Sequence, residues 1–297
     1  MAVPALSKLN ILRTPLPELP FLPRLALRAL LLGFGHWLTV EAEHPLDSVK
    51  DPAIFALNHN CSYETLLVPC YLFFRRRGRT IGFISDWMFG RIPLLGWFFK
   101  QIDPIYVYNK PARFAYLNRH RAQSVRRSIV AQCVARLRAG RSLAVFPEGT
   151  RNRDPQVLLR GRQGIGQIVL QSDAPLLPIG IDFPERLAHQ RIPNHGPLIL
   201  RIGAPLLFSE ERLCYRRIAA APGVPAASRK RLLDHVSQRV TYAVMIELAR
   251  LSGKNYPFPV PEPPPDWERF FHSIQTDQNI GGENHGLFGD HHRESNG

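Results

Sequence analysis

Residues 53–64, which read AIFALNHNCSYE, constrain this chain more than any other stretch. The apolar run at 54–57 has the length and residue types of a buried β-strand. His59 follows the run, and Glu64 comes five residues later, at the predicted start of a helix. A histidine at the mouth of a strand with a carboxylate one helical turn away is the arrangement of a general base and the group that orients it. His59 and Glu64 are therefore the candidate catalytic residues.

A second polar stretch, FPEGTR at residues 146–151, also follows an apolar run, at 143–145. In parallel α/β sheets, ligands bind in the crevice outside the carboxyl ends of the strands. We therefore expect both polar stretches to face one crevice.

Strand-like apolar runs alternate with helical patterns along the rest of the chain. This alternation predicts an α/β fold in which a mixed, largely parallel sheet is flanked by helices on both faces. Strands are expected at 54–57, 80–85, 105–108, 143–146, 176–182 and 198–202, and helices at 22–39, 65–74, 124–140, 164–172 and 230–251.

Composition divides the chain into three expected parts. Residues 1–45 form an N-terminal extended segment, over 1–23, followed by an apolar helix, and residues 46–255 form the main α/β domain. Residues 256–297 begin with a proline-rich stretch and end in a polar segment, 278–297, without apolar periodicity. Such a segment cannot bury enough apolar surface to order itself, so we expect it to be disordered.

The apolar helix expected at 22–39 is a candidate membrane contact. Its continuous apolar part is about half of the roughly 20 residues that a membrane span needs. Arg24 and Arg28 lie four residues apart, which suits an interfacial helix with arginines at the lipid headgroups. The alternative is an ordinary helix packed on the domain. The apolar block begins late and lacks a small-residue cleavage site, so we do not interpret it as a signal peptide.

The charge balance indicates an anionic partner. Lysine and arginine outnumber aspartate and glutamate by 38 to 24 among 297 residues, which gives a formal net charge of +14. Nucleic acid, anionic lipid headgroups and phosphorylated small molecules all suit such a surface. The arginines are scattered and no nucleic-acid reading motif is present, so we expect an anionic membrane surface and no nucleic acid.

The cysteines show neither CxxC pairing nor a disulfide framework, and the histidines lack metal-ligand spacing. We expect the cysteines to be small buried apolar residues in a reducing compartment, and we expect no metal or bound cofactor. The four cysteines are Cys61, Cys70, Cys133 and Cys214.

The polar stretches together resemble the motifs of the lysophosphatidic acid acyltransferase family, a family of glycerolipid acyltransferases. The Asn-His strand exit with a carboxylate five residues on is similar to the family's first motif, NHxxxxD. The third motif stands here unbroken as FPEGTRNR, and the likeness covers about residues 50–205. Three shorter segments extend it: IPLLGW at 92–97, RQG at 162–164 and PLLPI at 175–179.

The resemblance implies a membrane-associated O-acyltransferase of phospholipid biosynthesis on the cytoplasmic face. It would move a fatty acyl group from acyl-CoA or acyl-carrier protein to a lipid hydroxyl, with 1-acyl-sn-glycerol-3-phosphate as the leading acceptor. His59 would be the general base and Glu64 its orienting carboxylate. Acyl-CoA or the carrier protein would be a co-substrate, and the membrane lipid the acceptor.

The resemblance also implies a set of substrate-binding residues. Arg151 matches the family position that holds the acceptor's phosphate, and Glu148 and Gly149 would shape the same turn. A structural turn carboxylate is the alternative role for Glu148. The full expected set is Asn58, Glu148, Gly149, Thr150, Arg151 and Arg162.

The sequence departs from the family pattern at three positions. Glu64 replaces an aspartate, Cys61 replaces a serine, and Asn109 stands where the second motif has an arginine. The last departure leaves room for an acceptor without a phosphate, such as a glycolipid. The first and last together leave room for a catalytically impaired lipid-binding homologue. The apolar segment 87–99 is a candidate part of an acyl-chain groove.

Overall fold

The centre of the fold is a mixed β-sheet. The computed structural model describes residues 2–3, 6–42, 45–46, 49–86, 104–107, 128–185, 187, 191–268 and 270. Its strands form one eight-stranded sheet in the order β1-β2-β8-β7-β3-β6-β4-β5. The strands are β1 (Ala2–Val3), β2 (Leu38–Ala42), β3 (Ile54–Leu57), β4 (Gly82–Asp86), β5 (Ile105–Val107), β6 (Leu143–Val145), β7 (Leu176–Asp182) and β8 (Leu198–Ile202).

Strand β3 is central and parallel to both of its neighbours. Ile54 pairs with Leu143 of β6 on one side and with Leu176 of β7 on the other. The parallel set continues through β4 to β5, whereas β7 and β8 are antiparallel. The sheet is therefore mixed and largely parallel, as expected, and the carboxyl ends of β3, β6 and β7 lie side by side.

Helices cover both faces of this sheet. The residues of β3 show this directly, because Phe55 and Leu57 belong to one buried apolar cluster and Ile54 and Ala56 to another. Successive side chains of a strand point to opposite faces, so the sheet has a core on each side. The helices are α1 (Lys8–Arg13), α2 (Phe21–Phe34), α3 (Glu64–Arg75), α4 (Ile129–Arg138), α5 (Gly164–Gln171), α6 (Ser209–Ala220) and α7 (Ala226–Ser252).

The N-terminal part differs from the prediction. Residues 1–23 are not simply extended, because Ser7 caps α1 by accepting a hydrogen bond from the Asn10 backbone N–H at 3.1 Å. Helix α2 then starts at Phe21, with Pro23 in its first turn, where a proline removes no helical hydrogen bond.

Two further elements were missed by the sequence patterns. The helix expected at 22–39 ends at Phe34, and a 3₁₀ turn leads into β2, which pairs with β8. Gly35, the C-cap of α2, marks the end of this helix in the sequence, and the prediction ran the helix past it. Helix α6 was also missed, because it is strongly charged and buries only Arg212, Cys214 and Ile218.

Several expectations lie outside the described residues. These are the apolar segment 87–99, the 92–97 motif, Asn109, the start of the helix expected at 124–140, and the tail at 278–297.

Candidate active site

The two polar stretches meet at the carboxyl ends of β3 and β6. The backbone N–H of His59 donates to Glu148 Oε1 at 3.0 Å. In return, the backbone N–H of Asn152 donates to the His59 carbonyl at 2.7 Å. These two bonds fix the loop after β3 against the loop after β6, so the backbone of His59 is held from both sides.

His59 and Glu64 form a hydrogen-bonded pair. Nδ1 of His59 lies 2.7 Å from Oε1 of Glu64, whose side chain is fully buried, while the His59 side chain is 14% exposed. Glu64 is the first residue of α3, where the helix dipole favours a negative charge. With Nδ1 bound to the carboxylate, Nε2 is the nitrogen that can take a proton from a substrate hydroxyl.

The Glu64 carboxylate has two further donors, both from Asn60. The Asn60 backbone N–H donates to Oε1, and its side-chain amide donates to Oε2 at 3.1 Å. Three donors thus hold the carboxylate in one orientation. The methylene that distinguishes glutamate from aspartate here is accommodated without loss of the contact to His59.

An aromatic ring fixes the plane of the imidazole. Phe146, the first residue after β6, stacks on His59 with ring centroids 4.4 Å apart and an interplanar angle of 27°. Stacking and the bond to Glu64 together restrict both rotation and tilt of the ring.

Asn58, expected in the substrate-binding set, is bonded to the neighbouring strand β7. Its side chain is fully buried, and its amide donates to the Ile181 carbonyl at 2.9 Å and accepts from the Ile181 N–H at 2.6 Å. Both ends of the amide are thus bonded to the backbone of β7. Asn58 therefore fastens the end of β3 to β7.

The hydrogen bonds of Glu148 are those of a structural turn carboxylate, the alternative role that the sequence left open. Its carboxylate accepts from the backbone N–H groups of His59 and Leu159, at 3.0 and 2.9 Å, and from the Asn152 amide at 3.1 Å. Burial raises the pKa of this carboxyl, and these hydrogen bonds and the charge of Lys254 oppose the rise. Glu148 thus holds the backbone of His59 in place through the hydrogen bond from its N–H.

Gly149 and Arg162 are packed against each other. Gly149 has φ +67°, and a Cβ on it would lie 2.2 Å from Nε of Arg162. Arg162 Nε donates to the Glu148 carbonyl at 3.4 Å, so the arginine lies across the turn. Thr150 and Arg151 are exposed beside this turn, and Arg151 donates to the Ser62 hydroxyl.

A cavity of about 540 Å³ opens beside these residues. Three arginines contribute to its lining, and two of them, Arg153 and Arg191, had no predicted role. The segments that carry them are joined by reciprocal bonds, because Ile192 N–H donates to the Arg153 carbonyl at 2.9 Å and Arg153 Nε donates to the Ile192 carbonyl at 2.7 Å. The lining residues are Cys61, Arg151, Asn152, Arg153, Asp154, Leu159, Arg191 and Asn194.

The cysteines are buried and free, as expected. Burial, and to a smaller extent the nearby Glu64 carboxylate, raise the pKa of the Cys61 thiol to about 11. Cys61 is therefore protonated at neutral pH and unsuited to nucleophilic attack.

Two residues next to the pair were missed by the sequence patterns. Asn60 lies inside the first motif, but nothing in the spacing showed its bonds to Glu64. Lys254 lies 194 residues away from Asn60 and donates to its Oδ1 at 2.6 Å. No local pattern could have indicated that contact.

Comparison with known proteins places most of these residues in one family domain. Residues 38–182, about half of the chain, match the family model described as Acyltransferase. No curated protein matches the sequence. Among solved structures, the chain is similar to the crystal structure of the 1-acyl-sn-glycerophosphate (LPA) acyltransferase PlsC from Thermotoga maritima. The sequence identity is 21%, the match covers 72% of this chain and 73% of that chain, and the TM-score is 0.41.

Proposed function

We propose that this chain, whose residues 38–182 match the acyltransferase family model, is a membrane-associated enzyme that transfers a fatty acyl group from a thioester to a lipid hydroxyl. The donor is acyl-CoA or acyl-carrier protein, and 1-acyl-sn-glycerol-3-phosphate is the first candidate acceptor. The observation that carries this proposal is the hydrogen bond between Nδ1 of His59 and Oε1 of Glu64, which leaves Nε2 available as a base. Asn152, whose backbone N–H donates to the His59 carbonyl, also lines the cavity to which three arginines contribute.

The proposed reaction is a direct transfer. Nε2 of His59 takes the proton of the acceptor hydroxyl while the oxygen attacks the carbonyl carbon of the thioester. The carbon–sulfur bond then breaks, and the imidazolium returns its proton to the departing thiolate. A positioned base of this kind contributes about 10²- to 10⁴-fold to the rate. Glu64 holds the imidazole tautomer and stabilises the imidazolium. No bound metal or cofactor takes part.

The arginine-lined cavity suits an acceptor that carries a phosphate. Guanidinium groups bind phosphate oxygens in a bidentate manner, and Arg151, Arg153 and Arg191 contribute to one cavity. The Asp154 carboxylate in the lining accepts from the backbone N–H groups of Gln156 and Val157, at 2.7 and 2.9 Å. Arg153 and Arg191 would supply the positive charge that the sequence lacks at Asn109.

The N-terminal helices carry an exposed apolar surface that suits a membrane. Six of the eleven exposed large apolar side chains among the described residues lie between residues 9 and 34. A contiguous exposed apolar patch is a usual mark of a membrane or protein interaction site. No helix in the described part of the chain has the length and apolar character to cross a bilayer. The exposed apolar side chains support our proposal that these helices attach the protein peripherally to a membrane surface. The six residues are Leu9, Leu12, Phe21, Leu22, Leu25 and Phe34.

The arginines of α2 have a different role from the one expected. Arg24 donates to the Leu19 carbonyl at 2.8 Å, and Arg28 donates to the Thr14 carbonyl at 3.0 Å. Both tie α2 to the segment between α1 and α2. The apolar side chains around them, and not these guanidinium groups, would contact the lipid.

The intact contact between His59 and Glu64 favours a working enzyme over a lipid-binding homologue without activity. The acceptor is tested by measuring acyl transfer from radiolabelled acyl-CoA, and in parallel from acyl-carrier protein. Lysophosphatidate is compared with 1-monoacylglycerol, which keeps the sn-2 hydroxyl and has a second hydroxyl in place of the phosphate. Arg151→Gln and Arg191→Gln should each raise the KM for lysophosphatidate roughly 10- to 100-fold, the effect of losing a charge-assisted hydrogen bond.

Arg216 offers a matched control, because it is an exposed arginine paired with Asp173 away from the cavity. Arg216→Gln should leave the KM unchanged. Transfer to monoacylglycerol alone, insensitive to the cavity arginines, would overturn the phosphate acceptor and retain the acyltransferase. Transfer to no acceptor would overturn the proposal as a whole.

A further inference from the structure

A buried lysine, Lys254, contacts Asn60, whose amide is bonded to the Glu64 carboxylate of the His59–Glu64 pair. Lys254 is only 5% exposed and follows Gly253, which ends α7 in a left-handed conformation. The backbone N–H of Lys254 donates to the Ala249 carbonyl at 3.0 Å, so its Cα is fixed by the end of the helix. It lies outside the family domain at 38–182.

The ammonium group of Lys254 has two short contacts. It donates to Oδ1 of Asn60 at 2.6 Å and to the backbone carbonyl of Asp154 at 2.6 Å. Asn60 belongs to the loop after β3, and Asp154 to the loop after β6. Lys254 therefore joins the two loops that carry the candidate active site.

The contact with Asn60 determines the orientation of the amide. An ammonium group can only donate, and an ionised carboxylate can only accept. The Asn60 amide lies between the two, so its oxygen must face Lys254 and its NH₂ group must face Glu64. Asn58 supports the same orientation, because its amide also donates toward Oδ1 of Asn60, at 3.5 Å.

The charge of Lys254 matters because the carboxylates near it are buried. Glu64 is fully buried and Glu148 is 3% exposed. Buried charges are costly unless they are paired and hydrogen-bonded. Lys254 supplies a positive charge behind both, and its effect on Glu148 is to lower the pKa of that carboxyl against the rise caused by burial.

We propose that Lys254 is a positioning residue of the active site, which holds the Glu64 carboxylate correctly oriented toward His59 through the amide of Asn60. Lys254 lies beyond the family domain, and the end of α7 holds it in position to orient the His59–Glu64 pair. This inference rests on the proposed function, since it assigns a role toward the same base.

The kinetic test compares Lys254→Met with Lys230→Met, a control at an exposed lysine of the same helix. Methionine has a similar length but neither the charge nor the donors. Misplacement of a catalytic group can cost up to about 10²-fold in rate. We expect Lys254→Met to lower kcat roughly 10- to 100-fold with little change in the KM of either substrate. Lys230→Met should leave both parameters unchanged.

A double-mutant cycle separates this role from simple stabilisation of the fold. If Lys254 acts through Glu64, then Lys254→Met should lower kcat little further in a protein that already carries Glu64→Gln. An equal loss in both backgrounds would overturn the proposal, and so would an unchanged kcat in folded Lys254→Met. If Lys254→Met does not fold, Lys254→Gln, which keeps N–H donors but no charge, takes its place.

A spectroscopic measurement tests the proposal without turnover. In protein labelled with ¹⁵N-histidine, the His59 signals are those missing from His59→Gln. Loss of Lys254 should shift the Nδ1 signal of His59, because the carboxylate bonded to it changes position or charge. An unchanged signal in the folded variant would overturn the proposal. If the wild-type protein transfers no acyl group, the proposed function fails, but the NMR comparison still decides the role of Lys254.

Discussion

Glu64 Oε1 lies 2.7 Å from Nδ1 of His59, although glutamate is one methylene longer than the aspartate that the motif resemblance expects at this position. Both oxygens of the carboxylate are engaged, because Asn60 donates to each of them. The loop from His59 to the start of α3 is therefore built for the longer side chain.

The first prediction concerns this fit. Glu64→Gln keeps the size but loses the charge, and should lower kcat roughly 10²-fold or more, because the imidazolium loses its stabilising carboxylate. Glu64→Asp keeps the charge, but its side chain is one methylene shorter, so the carboxylate would lie farther from Nδ1 of His59. This variant should also lower kcat. Steady-state kinetics with saturating donor measure both effects. An unchanged kcat in Glu64→Gln would show that the carboxylate has no role in the reaction.

The second prediction concerns Gly149. Gly149→Ala should place its Cβ against the Arg162 guanidinium and displace it, in addition to the strain of a positive φ. Gly140 separates the two effects, since its φ is +75° but nothing lies within 4 Å of an added Cβ. Gly140→Ala should show only the strain, about 1–2 kcal/mol of unfolding free energy. Denaturant titration should show a larger loss for Gly149→Ala, and only Gly149→Ala should impair acyl transfer. Equal losses with activity retained would contradict a role for the Gly149–Arg162 contact.

The third prediction concerns membrane attachment. Leu25 is 56% exposed on α2, within the proposed membrane-contacting surface, and Leu213 is 45% exposed on α6. Leu25→Glu should weaken sedimentation with anionic liposomes, because it places a negative charge against the lipid surface. Leu213→Glu makes the same change elsewhere and should bind normally. If both variants bind like the wild type, the N-terminal helices are not the membrane contact.

The fourth prediction concerns stability in acid. His235 is buried on α7 against Trp267, with ring centroids 4.6 Å apart. Burial, together with the charge of Arg239, lowers its pKa to about 4 from the ordinary value of 6.5. The unfolded chain therefore binds a proton that the folded chain does not. Stability should be lost as the pH falls from about 6.5 to about 4.

Thermal unfolding measured across this pH range tests the point. His235→Phe should flatten the pH dependence of the melting temperature, whereas His36→Phe, at an exposed histidine, should leave it in place. If the melting temperature of His235→Phe depends on pH in the same way as that of the wild type, other titrating groups cause the loss of stability in acid.

The sequence could predict the parts of the site that are close together along the chain. His59 and Glu64 are five residues apart, and the apolar run before them marks the buried strand. The central strands were found for the same reason, because full burial on both faces leaves a continuous apolar run. The family domain follows from these motifs.

The remaining features depend on contacts between distant segments. Lys254 and Arg191 reach the site from beyond the family domain, and nothing local to either residue distinguishes it from a solvated cation. Arg212 illustrates the same limit for the fold. It can be buried because its guanidinium donates to the carbonyls of Val169 and Ala174, at 3.0 and 2.6 Å, so a charged residue lies on the buried side of α6. A hydropathy pattern cannot show that these hydrogen bonds offset the cost of burying the guanidinium charge.

The central claim is that His59 is the base of an acyl transfer. Its most direct test is the rate at which purified protein moves a radiolabelled acyl group from acyl-CoA to lysophosphatidate, with wild type and His59→Ala compared at equal folded concentration. We expect transfer by the wild type and a loss of about 10²- to 10⁴-fold in His59→Ala, with binding to anionic liposomes retained. Transfer that continues undiminished in His59→Ala would contradict it.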